Sequence, residues 1–260
     1  MPGYLLINKP TGPTSHDIVD RVRRMTGEKR VGHAGTLDPF ASGLLIVGVG
    51  REATREFARL VGLDKHYIAT LHLGATSDTD DRTGQISAGQ MANGKWPTWE
   101  EIKSVIKTFT GKIQQLPPMY SAKKIHGKKM YELAREGKTF ERQPVEIEIY
   151  SIAEAKPRRE ADPQKPEAEA SPRQGSMLIL DIHCSSGTYI RALARDIGEA
   201  LSCGAYLEEL ERTAVGPFTL ERAVKADELN KDNWEKYLMP VEQVLNRCQR
   251  AAGVLGWKQS

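Results

Sequence analysis

At 260 residues, with 39% hydrophobic and 27% charged residues and a formal net charge of +3, the chain has an ordinary globular composition, enough for one large domain or two small ones. No apolar run approaches the roughly 18 residues needed to cross a bilayer, so a helical membrane protein is excluded. Three widely spaced cysteines, Cys184, Cys203 and Cys248, argue against both a disulfide framework and a cysteine zinc site.

The first run, YLLINKP (4–10), reads as a strand. No basic segment or cleavage site precedes it, so no targeting peptide and a cytoplasmic setting are expected. After the turn-rich TGPTS, Ser15 caps a helix over 16–26 with Ile18, Val19, Val22 and Met25 as its apolar stripe and Gly27 as its end. Arg21, Arg23, Arg24, Lys29 and Arg30 form a basic cluster on and after that helix. RVGHAGTLDP (30–39) reads as a loop unusually rich in ionisable groups. GLLIVGVG (43–50) is a short buried strand, and EATREFARLVG (52–62) a helix with Ala53, Phe57, Leu60 and Val61 on one side. HYIATLHLG (66–74) alternates as a strand, Tyr67, Ala69, Leu71 and Leu73 sharing a face.

ATSDTDDRTGQI (75–86) is a polar turn. Its Asp78, Asp80 and Asp81 lack the spacing and terminal glutamate of a calcium loop, so solvent or pairing with basic groups is expected there. TWEEIKSVIKTFTG (98–111) is a helix with Ile102, Val105, Ile106 and Phe109 inward. SAKKIHGKK (121–129) is a second basic cluster. Such clusters suit phosphate contacts, each of which releases counterions, although a solvated face has the same composition. VEIEIYSIAEA (145–155) and MLILDIHCSSG (177–187) read as hairpin strands. The Pro-, Ala- and charge-rich 156–176 between them is expected to be a disordered excursion. YIRALARDIGEAL (189–201) is an amphipathic helix with Thr188 as its N-cap, and the last thirty residues read as one or two short helices and a frayed end.

Two constellations carry chemistry. In GTLDP, Gly35 permits close backbone approach and Pro39 stiffens the exit, which presents the Asp38 carboxylate at a defined place. An aspartate that only caps a turn would look the same. In SSGTYIRALARD (185–196), Arg191 falls in the first turn of a helix, where the dipole disfavours a cation. A residue set against local preference has another task, such as holding a carboxylate ionised.

The segments GYLLINKPTGPTSHDIVDRVRR…RVGHAGTLDPFASGLLIVGVGREATR, KHYIATLHLGATSDTDDRTGQI, PPMYSAKKIHGKKMYELAREG and IHCSSGTYIRALARDIG follow one another in order from about residue 3 to about 240. Together they resemble the bacterial tRNA pseudouridine-55 synthases, the TruB-type pseudouridine synthase family. The resemblance implies an α+β fold, with a mixed, largely antiparallel sheet flanked by helices, a central active-site cleft and a thumb insertion. It implies an isomerase that flips uridine 55 out of the tRNA T-loop, breaks C1′–N1, turns the base and joins C1′ to C5. No atom or electron enters or leaves, so neither cofactor nor metal is expected.

Carried over by motif, Asp38 is the essential carboxylate, whether it attacks C1′, adds to C6 or takes a ribose proton. Tyr67 matches the tyrosine that stacks on uracil and accepts the C5 proton; without the resemblance it reads as a core aromatic. Arg191 matches the arginine paired with the aspartate, Tyr189 and Leu210 line the pocket, and Lys9 supports the site. His33, otherwise a loop histidine without a task, resembles the residue that fills the gap left by the flipped base. The resemblance makes 119–140 a thumb that closes on the T-arm, with Arg135 reaching Asp78. Only nineteen residues follow Val241, so the expectation is a catalytic domain over 1–240, a short tail over 241–260 and no RNA-binding PUA domain. A monomer acting on the T-arm of tRNA is expected. The rivals are a guide-dependent synthase of the ribonucleoprotein type and a tRNA-folding chaperone.

Overall fold

The structure is a computed structural model and describes residues 1–89, 95–119, 124–125, 128–129, 142–155 and 175–254. The chain forms two compact units, residues 1–67 with 210–260, and residues 68–209. Its first pass through unit one builds β1 (Gly3–Lys9), α1 (Ser15–Thr26), β2 (Val31–Ala34), β3 (Ser42–Val49), α2 (Arg51–Arg55), α3 (Phe57–Val61) and the start of β4 (Lys65–Leu73). Unit two holds β5 (Ala75–Ser77), β6 (Ile86–Ala88), α4 (Trp99–Thr108), β7 (Gly111–Gln115), β8 (Lys124–Ile125), β9 (Lys128–Lys129), β10 (Val145–Glu154), β11 (Met177–Cys184) and α5 (Ile190–Ala200). The chain leaves it within β12 (Ala205–Val215) and returns to unit one for β13 (Phe218–Thr219), β14 (Val224–Lys225), α6 (Trp234–Tyr237), β15 (Met239–Pro240) and α7 (Val241–Val254).

In unit one the strand order is β14-β1-β3-β12, with β1·β3 antiparallel and β1·β14 and β3·β12 parallel. Both faces of β1 and β3 are covered, which explains their unbroken apolar runs. Leu5, Ile7, Leu45 and Val47 pack on Ile18, Val19 and Val22 of α1. Tyr4, Leu6, Leu44 and Ile46 pack on the opposite side with Ala53, Leu60, Phe218 and, from α7, Val244 and Cys248. The C-terminal segment forms α7, which packs on this face through Val244 and Cys248; residues 255–260, where a frayed end was expected, lie outside the described residues.

In unit two the order is β4-β11-β10-β7, with β10 antiparallel to both β11 and β7. The expected hairpin of β10 and β11 is present, Ile152 opposite Ile182. Residues 156–174 and most of the expected thumb, Arg135 included, lie outside the described residues. Among the described residues no helix is long and apolar enough to cross a membrane.

Four local expectations need correction. Thr14, not Ser15, caps α1, its side chain accepting from Asp17 N while Asp17 returns to Thr14 N in a capping box. The loop 30–39 contains a strand, β2, antiparallel to β3. The helix over 52–62 is two short helices that meet at Glu56, and Val61 is exposed rather than inward. Tyr189 takes the N-cap position of α5, while Thr188 Oγ1 donates to Ser185 O at 3.0 Å.

Candidate active site

Asp38 stands between β2 and β3 in a loop whose carbonyls are bound one after another from Gly35 to Pro39. Arg212 of β12, 1% exposed, donates from Nη2 to Gly35 O at 3.0 Å, from Nη1 to Thr36 O at 3.4 Å and from Nε to Leu44 O at 2.8 Å. Ser15 Oγ donates to Leu37 O and accepts from Leu37 N, both at 2.9 Å. Ala41 N donates to Asp38 O at 3.1 Å, and Gly12 N to Pro39 O at 2.8 Å. Gly35 holds φ at +93° and Gly43 at +105°; a Cβ at Gly43 would stand 2.4 Å from Arg212 O. The missing Cβ at Gly43 lets β12 lie close enough for Arg212 to reach the loop, while Gly35 is needed for its positive φ.

Lys9 is wholly buried at the end of β1, and its Nζ donates to Pro13 O at 2.9 Å, Pro10 O at 3.0 Å and Pro39 O at 3.4 Å. Burial lowers its pKa from 10.5 to about 8; the negative charge of Asp38 opposes that fall and the charge of Arg212 adds to it. The lysine's charge is thus felt at Asp38, and its donors tie together both chain segments that approach the loop.

His33 lies on β2 opposite Val47 of β3. Its Nδ1 is buried without a hydrogen-bond partner among the described residues. Burial, then Arg212 and His16, pushes its pKa below the usual histidine value, so the ring is chiefly neutral at pH 7. Tyr67 is 8% exposed on the buried face of β4 with Ala69, Leu71 and Leu73, as the alternation predicts. Leu210 is 9% exposed on β12. Unit one thus carries Lys9, His33, Asp38, Tyr67 and Leu210, and unit two carries Tyr189 and Arg191.

In unit two, Arg191 is 6% exposed at the start of α5. Its Nη1 lies 3.5 Å from Asp81 Oδ2 and donates to Thr79 O at 3.1 Å. Asp81 Oδ1 accepts from Thr79 Oγ1 and Thr83 N at 2.9 Å each and from Thr83 Oγ1 at 2.5 Å. Next to it Asp80 adopts φ +61° and pairs with Arg195 Nη1 at 3.0 Å. The acidic turn therefore spends two carboxylates on the buried Arg191 and the partly buried Arg195, the pairing with basic groups expected of it. Asp78 closes the turn itself, its Oδ1 accepting from Gln85 N at 2.7 Å. Gln115, also wholly buried, holds the Tyr189 peptide from both sides: Oε1 accepts from Tyr189 N at 2.9 Å and Nε2 donates to Tyr189 O at 3.0 Å.

Sequence reasoning missed Arg212, Ser15 and Gln115 as members of this machinery. Arg212 left a signal: the alternation of β12 sets it on the buried face between Leu210 and Ala214. The others left none, because their partners are distant in the chain or their residue types are common at turns.

Residues 23–190 match the family model for the TruB family pseudouridylate synthase (N terminal domain), and residues 191–248 match that for the tRNA pseudouridylate synthase B C-terminal domain. The chain is 43% identical over 233 residues to tRNA pseudouridine synthase B of Geobacter sulfurreducens, covering 89% of this chain and 70% of that one. It is 44% identical over 228 residues to tRNA pseudouridine synthase B of Protochlamydia amoebophila, covering 88% and 79%. Among solved structures, the crystal structure of a Cbf5-Nop10-Gar1 complex superposes with a TM-score of 0.66 at 28% identity, covering 94% of this chain and 62% of that one.

Proposed function

The chain belongs to the TruB family of pseudouridylate synthases, and from that premise we propose that it converts uridine 55 in the T-loop of tRNA to pseudouridine. Relatives named tRNA pseudouridine synthase B are 43% and 44% identical, against 28% for the chain of the Cbf5-Nop10-Gar1 complex, which favours a tRNA enzyme of the relatives' kind over a subunit of such a complex. The observation that carries the reading is the Asp38 loop, fixed at five successive carbonyls before any substrate arrives. Attack at C1′, addition to C6 and abstraction of a ribose proton all start from an ionised carboxylate held in one place, so each gains from that fixation.

The remaining roles are those the family resemblance implies, and the chemistry of each side chain suits them. Uridine must leave the stacked loop to expose its reacting atoms, at a cost of a few kcal/mol. The neutral ring of His33 offers a stacking plane for the gap and offsets part of that cost. Tyr67 is assigned the stacking on the extruded uracil and, through its hydroxyl, the C5 proton, and Leu210 and Tyr189 match residues that line the pocket in the family. Arg191, its guanidinium fixed by Asp81 and Thr79, matches by motif the arginine that the family pairs with its aspartate.

A single-turnover assay on unmodified tRNA tests this. Asp38→Asn should bind tRNA within about threefold of the unsubstituted protein and form pseudouridine at least a thousandfold more slowly, about 4 kcal/mol of transition-state stabilisation. Near-normal product from that variant would remove Asp38 from its role. Tight tRNA binding by the unsubstituted chain without any product would favour the chaperone reading.

A further inference from the structure

Unit one carries a cavity of about 230 Å³ away from the Asp38 loop, lined by Leu6, Arg222, Lys236, Tyr237, Met239, Gln243 and Arg247. Three of its walls are cations from three different elements: Arg222 closes the 3-10 turn Leu220–Arg222, Lys236 belongs to α6, and Arg247 to α7. No carboxylate lines it. Among the described residues none of the three cations forms an ion pair. The packing of α7 explains the convergence. Val244 and Cys248 turn into the core, which sets Gln243 and Arg247, one turn apart, along the cavity wall.

Arg222 and Lys236, both exposed, and the half-buried Arg247 give the hollow a positive lining to which an anion is attracted. The volume falls below the roughly 300 Å³ at which pockets begin to hold drug-sized or cofactor-sized ligands. It suits a small anionic group, with Gln243 as a neutral donor and the exposed ring of Tyr237 at the rim. We propose that this cavity is a phosphate site that takes one phosphodiester of the tRNA backbone, at a distance from the reacting uridine. The ligand class rests on the tRNA reading above. The cationic convergence does not.

The test uses the full chain and unmodified tRNA over about 50 to 200 mM salt. Arg222→Gln/Lys236→Gln/Arg247→Gln is compared with the unsubstituted protein and with a charge-matched control, Lys95→Gln/Lys103→Gln/Lys107→Gln, whose exposed lysines lie on unit two. The cavity variant should lose about tenfold in tRNA affinity at the lowest salt, and its log Kd against log salt should flatten by about one, the slope of roughly one released phosphate contact. The control should change neither by as much, and the single-turnover rate at saturating tRNA should stay within twofold for both. A cavity variant with the affinity and salt slope of the control overturns the proposal, even if inorganic phosphate alone binds the unsubstituted cavity, since that makes it a site for free anions. If the unsubstituted chain binds tRNA yet forms no pseudouridine, the functional reading fails while the affinity comparison still decides the cavity. Failure to bind tRNA at all overturns both.

Discussion

Arg212 shows how one side chain can serve a site it does not enter. Its three donors go to carbonyls of Gly35, Thr36 and Leu44, a spread that only a planar guanidinium covers. Arg212→Lys should keep the charge but leave at least one buried carbonyl unsatisfied, at about 1–3 kcal/mol of stability. Its kcat should fall at least tenfold with little change in KM, read by urea unfolding and steady-state kinetics; an unaltered kcat would show that the loop holds its shape without the clamp. Lys9 gives a prediction in pH. Its folded pKa of about 8 lies below the ordinary 10.5, so between those values the unfolded chain binds the extra proton and stability due to this group rises with pH. Below pH 8 the fold must carry the buried cation and that increment is lost. The gain in unfolding free energy from pH 7.5 to 10 should therefore be smaller in Lys9→Met than in the parent, and equal gains would count against a depressed amine. The sequence made Lys9 visible only through its NKP motif. The three prolyl carbonyls that hold it come from the folded turn and could not be read from spacing.

Elements with a regular period were legible, and those built around glycine were not. β1, β3, β4 and β10 and the stripes of α1 and α4 follow their apolar patterns to within a residue or two, and β11 ends three residues before its expected end. β2 escaped because Gly32 and its short length read as loop. The glycine is there for packing, since a Cβ would stand 2.8 Å from the Phe57 ring, and Gly48 of β3 receives the same ring at 2.7 Å. The start of α1 was shifted by one residue because Ser15 has the chemistry of a cap and is used elsewhere, on Leu37. This separates two functions in adjacent hydroxyls. Thr14→Ala should cost about 1 kcal/mol through the lost capping box and leave catalysis intact. Ser15→Ala should leave Leu37 N and O unpartnered and reduce the single-turnover rate at saturating tRNA by tenfold or more. Comparable rates in the two variants would mean that Ser15 serves only the helix.

At the scale of the whole chain, unit one is assembled from both ends of the sequence. β1 is flanked on its outer edge by β14 and β15, with Ile7 opposite Val224 and Tyr4 opposite Met239, and α7 closes over Tyr4 and Leu6. Reading along the sequence made 241–260 a short tail, because its apolar positions are few and its partners on β1 lie more than two hundred residues away. Ending the chain at Pro240 should uncover the Val244 and Cys248 contacts and lower stability by about 3 kcal/mol or more, judged from the burial of such side chains. A thermal unfolding midpoint unchanged by the deletion would show that α7 is an ornament of the fold. The division of the candidate residues between the two units was equally invisible, since β4 and β12 each pass from one unit to the other within an unbroken apolar pattern.

The fixation of the Asp38 loop runs through its main chain, and this leaves the side chain of Thr36 out of every bond that holds it, exposed two residues from the carboxylate. That position is a place to attach a reporter. A spin label on Thr36→Cys should sit on a rigid base, since the three native cysteines are buried and a thiol-directed probe selects the new one. Its spectrum would register the arrival of RNA beside the nucleophile as a loss of the label's own motion, in real time and without waiting for the base to change.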